Sequence, residues 1–226
     1  MPALVVDQSQ LAIENVSSPK AYLSQYFRST RKTTVPDHAK VLTRAEIQML
    51  VATHCYGGKI LNTAHRGDVV EIMVLTALGD QWKHVGLGWH PWDLQRGSGQ
   101  ERVRIQVKQT AAVQLWGRTR MPTISFGWKP RPPAYFVRDN PDEAIETEGC
   151  FCDVIVVGIH EETDENVIDQ LAVEQWRFLA IPRSELPARA KSMSLELAKK
   201  RWQSVPWIQL PQAVESAILR NATGPV

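Results

Sequence analysis

Cysteine is scarce in this chain: Cys55, Cys150 and Cys152 are the three in 226 residues. An odd number at that spacing excludes a disulfide framework, and reduced thiols in a cytoplasmic protein are the expectation. Cys150 and Cys152 form a C-x-C pair with no second knuckle, so they read as small buried hydrophobes; zinc shared with Cys55 and a histidine is the alternative. No apolar run is long enough to span a bilayer. The opening residues, MPALVVDQSQ, lack the basic region and sustained apolar segment of a secretory signal. A chain with no membrane association is expected. Neither GxxxxGK[ST] nor GxGxxG occurs, which argues against P-loop nucleotide hydrolysis, and GxSxG, HExxH and HNH arrangements are missing too. No internal repeat or low-complexity tract appears.

What is present is an ordinary globular mixture, 43% hydrophobic and 22% charged, enough for one good-sized core. The net charge is only +2, yet it is segregated. Basic residues gather at Arg28, Arg31 and Lys32, at Arg102, Arg104 and Lys108, at Arg118, Arg120, Lys129 and Arg131, and at Lys199, Lys200 and Arg201. Acids concentrate in 139–169. Such a distribution leaves one face positive, or else merely solvates the surface evenly.

Residues 1–40 read as peripheral, with a short helix from Ser18-Pro19 and a basic connection, STRKTTVPDHAK. The main domain is expected over 41–226. Thr43-Arg44-Ala45-Glu46 is a capping box opening a helix to about Cys55. A second helix is predicted over 66–78, with Val70, Met73, Val74 and Ala77 as its apolar stripe and Glu71 at the margin. Short strands follow at 82–87 and 89–94, then a glycine turn and a strand at 102–109. AAVQLW continues as strand or as a short helix. Residues 117–149, rich in proline and glycine, read as a long loop or insertion with little regular structure. DVIVVGI (153–159) and QWRFLAI (175–181) are central strands, and helices follow at about 184–201, broken near Pro187, and at 211–220. The fold class is α/β (α+β), a mixed central sheet flanked by helices.

ERVRIQVKQT (101–110) carries the chemistry. Val103, Ile105 and Val107 alternate with Arg104, Gln106 and Lys108, a half-buried strand presenting three long polar side chains together. An edge strand with one wet face is the plain explanation. Upstream lie Asp93, within PWD, and Glu71 on the second helix. Together Glu71, Asp93 and Gln106-Val107-Lys108 resemble the PD-(D/E)XK nuclease superfamily, in its QxK variant. Asp93 matches the aspartate, Gln106 the usually acidic position, Lys108 the lysine and Glu71 the acid of the preceding helix.

That resemblance implies a restriction-endonuclease-like fold over roughly 43–181 and a Mg²⁺-dependent endonuclease cutting DNA, with Mn²⁺ as a possible substitute. It implies a metal held by Asp93, the Gln106 side-chain oxygen, the Val107 carbonyl and Glu71, with Lys108 at the attacking water. A homodimer with one site per chain suits cutting of both strands, in a restriction or defence setting that includes a larger complex. Arg104, Arg118, Arg120, Lys129 and Arg131 are the expected phosphate contacts, and Trp82, Trp89 and Trp92 are candidates to stack on bases, with core and rim packing the default for most of the tryptophans. The 117–149 segment serves either as a DNA-contacting loop or as an oligomerisation arm. Two rival functions stay open: a non-cutting nuclease-like subunit for nucleic-acid binding or assembly, and an unrelated α+β interaction protein.

Overall fold

The computed structural model describes residues 42–85, 91–118, 123–125, 135–137, 140–145, 150–186 and 192–223. It divides into a unit of Met1–Leu50 and one of Val51–Val226. In the first unit the described residues begin a helix, α1 (Arg44–Tyr56). The capping box closes as expected: the Thr43 N–H donates to Glu46 Oε2 at 2.9 Å and the Glu46 N–H to Thr43 Oγ1 at 3.3 Å. The expected Ser18 helix lies outside the described residues.

The second unit is built on a six-stranded mixed sheet. Helix α2 (Thr63–Leu78) precedes β1 (Trp82–His84), β2 (Leu94–Arg96) and β3 (Val103–Ala111). The short pairs β4 (Val113–Gln114) with β5 (Gly117–Arg118), and β7 (Tyr135–Val137) with β8 (Asn140–Ile145), stand apart from the main sheet, as does β6 (Thr123–Ser125). β9 (Val154–His160), β10 (Trp176–Pro182), β11 (Ser192–Ser194), α3 (Leu195–Arg201), β12 (Val205–Pro206) and α4 (Leu210–Thr223) complete the order. The sheet runs β1-β2-β3-β9-β10-β12, antiparallel throughout except for β3 beside β9. The fold is therefore the mixed α+β architecture expected from the alternation of elements.

Both faces of the sheet are covered, which is why every residue of β9 is buried. On one face Val70 and Val74 of α2 and Leu210, Val214 and Ala217 of α4 pack on Ile105, Val107, Val154 and Val156. On the other, Trp92, Ile155, Val157 and Ile159 meet Leu195 and Ala198 of α3. Period-2 alternation makes Gln106 and Lys108 share this second face with their register partners Ile155 and Val157. Gly97 and Gly99, at φ of 71° and 55°, turn the chain from β2 to β3 in a conformation that side chains resist.

Some elements differ from the sequence expectation. α2 starts at Thr63 because Asn62 caps it, its side chain accepting from the Ala64 N–H. β2 begins where the predicted 89–94 strand ends, since Pro91 cannot donate to a ladder. Among the described residues of 117–149 lie four short strands, β5 to β8, where little regular structure was expected. The predicted 184–201 helix is a 3-10 turn at Arg183–Glu185, then β11 and the shorter α3. Strand β11 pairs with β6, Met193 opposite Ile124, a partnership from across the chain.

Candidate active site

Asp93 is placed by its neighbours. Trp92, fully buried, roots in one core and Leu94 in the other, so the residue between them has little freedom. Its backbone is fixed on both sides, its N–H donating to the Ile105 carbonyl at 2.9 Å and its carbonyl accepting from the Val85 N–H at 2.8 Å. One step beyond the Leu94–Ile105 register pair, Asp93 lies opposite Gln106. Its Oδ2 accepts from Gln106 Nε2 at 2.5 Å and from the Val107 N–H at 2.6 Å.

This carboxyl is only 8% exposed. Burial, with the Glu71 charge adding to it, pushes its pKa up from 3.8 to about 6, against the opposing pull of the Val107 N–H, Lys108 and Gln106. Glu71 reaches the site from α2 and is itself engaged: its Oε2 lies 2.7 Å from His84 Nε2 on β1. Lys108 is half-buried, on the same strand face as Gln106. Its charge is felt at Asp93, and no hydrogen bond or ion pair ties it among the described residues. The structure thus brings Asp93, Gln106 and Val107 into direct contact, with Glu71 and Lys108 in electrostatic reach.

The glutamine now has a physical reason. A glutamate at 106 would set a second carboxylate against a buried one already near Glu71. Gln106 instead donates with its nitrogen to Asp93 Oδ2. No three Asp, Glu, His or Cys side chains gather as a metal group among the described residues. Two carboxylates with amide and carbonyl oxygens are nevertheless an all-oxygen donor set, which suits a hard cation such as Mg²⁺.

The stability consequence has a definite sign. The folded carboxyl holds its proton up to about pH 6, whereas the unfolded one releases it near 3.8. Stability therefore falls as pH rises through that window, by about 3 kcal/mol in full. In the presence of chelator at pH 8, Asp93→Asn is expected to raise stability by about 1–3 kcal/mol, a gain that fades toward pH 4. Urea titrations at the two pH values check it, and an equal change at both would remove ionisation as the cause.

The expected phosphate contacts fare differently. Arg104 is committed to Asp153: its N–H and Nε donate to Oδ2 at 2.8 and 3.0 Å and its Nη2 to Oδ1 at 2.9 Å. With the Asp153 N–H on the Arg104 carbonyl, this clamp fixes the parallel β3–β9 register, and a phosphate would have to compete with it. Arg118 lies in β5. Arg120, Lys129 and Arg131 lie outside the described residues, as does Trp89. Trp82 and Trp92 are 5% and 0% exposed and are core residues, not stacking platforms.

Sequence reasoning missed His84 as the partner of Glu71; two-residue alternation from Trp82 was the available signal. It also missed Arg66, 1% exposed, whose guanidinium donates to Gln109 Oε1 at 2.6 Å and Gln114 Oε1 at 2.7 Å. Beside the site, Cys150 and Cys152 bring their sulfurs to 3.3 Å. The Cys152 thiol and the charges of Arg183 and Lys108 hold Cys150 down to about 6, while that contact and burial push Cys152 up. No helix among the described residues is long and apolar enough to cross a membrane.

No family model matches the chain, and no curated protein matches it. Among solved structures, the chain is similar to a bacterial homing endonuclease, I-Ssp6803I, at 16% identity and a TM-score of 0.36, over 71% of this chain and 96% of that one.

Proposed function

We propose that the chain is a Mg²⁺-dependent endonuclease of restriction-endonuclease-like fold that hydrolyses DNA phosphodiester bonds, Mn²⁺ serving as a substitute. The observation that carries this is the buried Asp93 carboxyl, bonded to Gln106 and Val107 and raised in pKa by burial and Glu71. Burial disfavours the Asp93 charge and the Glu71 charge adds to it, so a cation bound at Asp93 would relieve both effects.

Asp93, Gln106 Oε1, the Val107 carbonyl and Glu71 are the groups that would hold the metal. When bound, such a cation polarises a phosphodiester and lowers the pKa of a coordinated water. The protein's own residues orient and stabilise. Gln106 and the Val107 N–H fix the rotamer of Asp93, His84 fixes Glu71, and Lys108 supplies positive charge to position the water or steady the developing oxyanion. A homodimer, and a restriction or defence role alone or in a larger complex, follow from the family resemblance alone; DNA contact by Arg118, Arg120, Lys129 and Arg131 follows from their clustering in the sequence, and Arg104 would have to leave Asp153 to join them.

The non-cutting reading has one observation in its favour: Asp93 and Glu71 are each already satisfied by protein donors. Incubation of plasmid and linear duplex with purified protein and Mg²⁺, Mn²⁺ or EDTA decides between them. Cleavage with either metal and none with EDTA is expected. Gln106→Glu should retain cleavage, with a lower metal-free stability because it sets an acid against Asp93. Inactivity of both proteins across substrates and metals would favour the binding subunit.

A further inference from the structure

Cys150 and Cys152 take no part in the chemistry above, yet they sit against it. Cys152 is 3% exposed and packed in the core, two residues before Val154, which lies opposite Ile105 in the β3–β9 register. Cys150 is half-buried and reachable from solvent. The two sulfurs are 3.3 Å apart and need to close by little more than 1 Å to reach a disulfide bond length of about 2.05 Å. Cys55, elsewhere in the chain, is a free thiol too.

We propose that Cys150 and Cys152 form an oxidisable dithiol, with Cys150 as the attacking and Cys152 as the resolving thiol. Access sets the roles: a small disulfide such as oxidised glutathione can reach Cys150 and cannot reach Cys152. The Cys150 thiol gives its proton to solvent and its sulfur attacks one glutathione sulfur, forming a mixed disulfide and releasing one glutathione thiolate, which takes a proton from solvent. Cys152 gives up its proton to solvent, attacks the Cys150 sulfur and expels the second glutathione. Two electrons pass from the protein dithiol to glutathione, which leaves as two thiols. The ring closed by a C-x-C disulfide is small and strained, so the bond reverts readily under reducing conditions; such bonds belong to the labile, regulatory kind.

Closure also displaces Cys152, the residue next to Asp153, which clamps Arg104. Oxidation is therefore expected to slow cleavage, a consequence that rests on the nuclease reading. Disulfide formation does not.

The test uses the full chain. After oxidised glutathione, thiol alkylation and trypsin digestion without reduction, the peptide 139–177 holds both cysteines and no internal lysine or arginine. It should appear unalkylated and lighter by two hydrogens, with Cys55 alkylated. Cys152→Ser should stop at a glutathione adduct on Cys150, and Cys150→Ser should leave Cys152 unmodified. Alkylation of both residues under conditions that trap the adduct in Cys152→Ser would overturn the proposal, as would pairing with Cys55 or a second copy. Cleavage by the oxidised protein should fall several-fold and recover with dithiothreitol; equal rates would end the coupling to the site. No cleavage by the reduced protein would end the nuclease reading, with the disulfide still decided by the masses.

Discussion

Lys108→Ala should lower the rate of DNA cleavage by about 10²–10³-fold, the scale of losing one positioned electrostatic group in an active site, while leaving metal binding in place. Lys108 touches Asp93 through its charge and holds no described hydrogen-bond partner, so its removal leaves the Asp93–Gln106–Val107 contacts standing. Asp93→Ala is the contrasting case, because it removes both the carboxylate and the acceptor for two donors. Single-turnover cleavage of a labelled duplex, paired with thermal denaturation at rising Mg²⁺, separates them. The Lys108 variant should keep the metal-dependent gain in melting temperature expected of any ligand that binds the folded state, and the Asp93 variant should lose it. Lys108→Arg should not restore the rate, since a planar guanidinium cannot replace a compact ammonium at one water. If Lys108→Ala cuts like the parent, the lysine is a solvated residue and has no place at the reacting centre.

Gly158→Val should be among the most damaging single changes to stability. An added Cβ at Gly158 would lie 2.7 Å from Val70 Cγ1 and 3.3 Å from Trp176 Cε3. Neither neighbour can yield, since Val70 and Trp176 are 0% and 1% exposed. Overpacking by one methyl costs about 1–3 kcal/mol, so Gly158→Ala should fall in that range and the bulkier valine beyond it. Adding Val70→Ala to Gly158→Ala frees the contested space, and the double variant should be more stable than the sum of its parts by about 1 kcal/mol. Denaturant titration of the cycle measures this. Plain additivity would mean that α2 does not press on β9 at this point. Because Glu71 follows Val70 on the same helix, the tight seat also sets where that acid stands.

The residues that were legible beforehand are those whose neighbours are local. The Thr43–Glu46 box, the alternation through Val103–Val107 and the apolar run of β9 each follow from a few adjacent side chains. Gln106 and Asp93 were nameable because the motif lies on a hairpin. Arg104 was read as a phosphate contact, yet its partner Asp153 is 49 residues away, and nothing in ERVRIQVKQT announces it. β6 and β11 went unseen for the same reason: three residues of strand carry too little pattern, and each exists because the other supplies its ladder. Trp82 and Trp92 follow the default of core packing and not the stacking alternative, since aromatic count says nothing of depth.

The parallel pairing of β3 against β9 has a kinetic consequence. Asp93 and Gln106 are 13 residues apart, so their contact closes with a hairpin and asks for little chain entropy. The wall behind Gln106 and Lys108 must wait for a crossover through 112–153, with the Arg104–Asp153 clamp closing a loop of 49 residues at about 1 kcal/mol more in entropy. Long-range parallel pairing is the slow step in folds of this kind. The acidic half of the site is thus assembled early and its hydrophobic backing late. Fractional folding-rate effects should accordingly be high for substitutions at Leu94 and low for those at Val156.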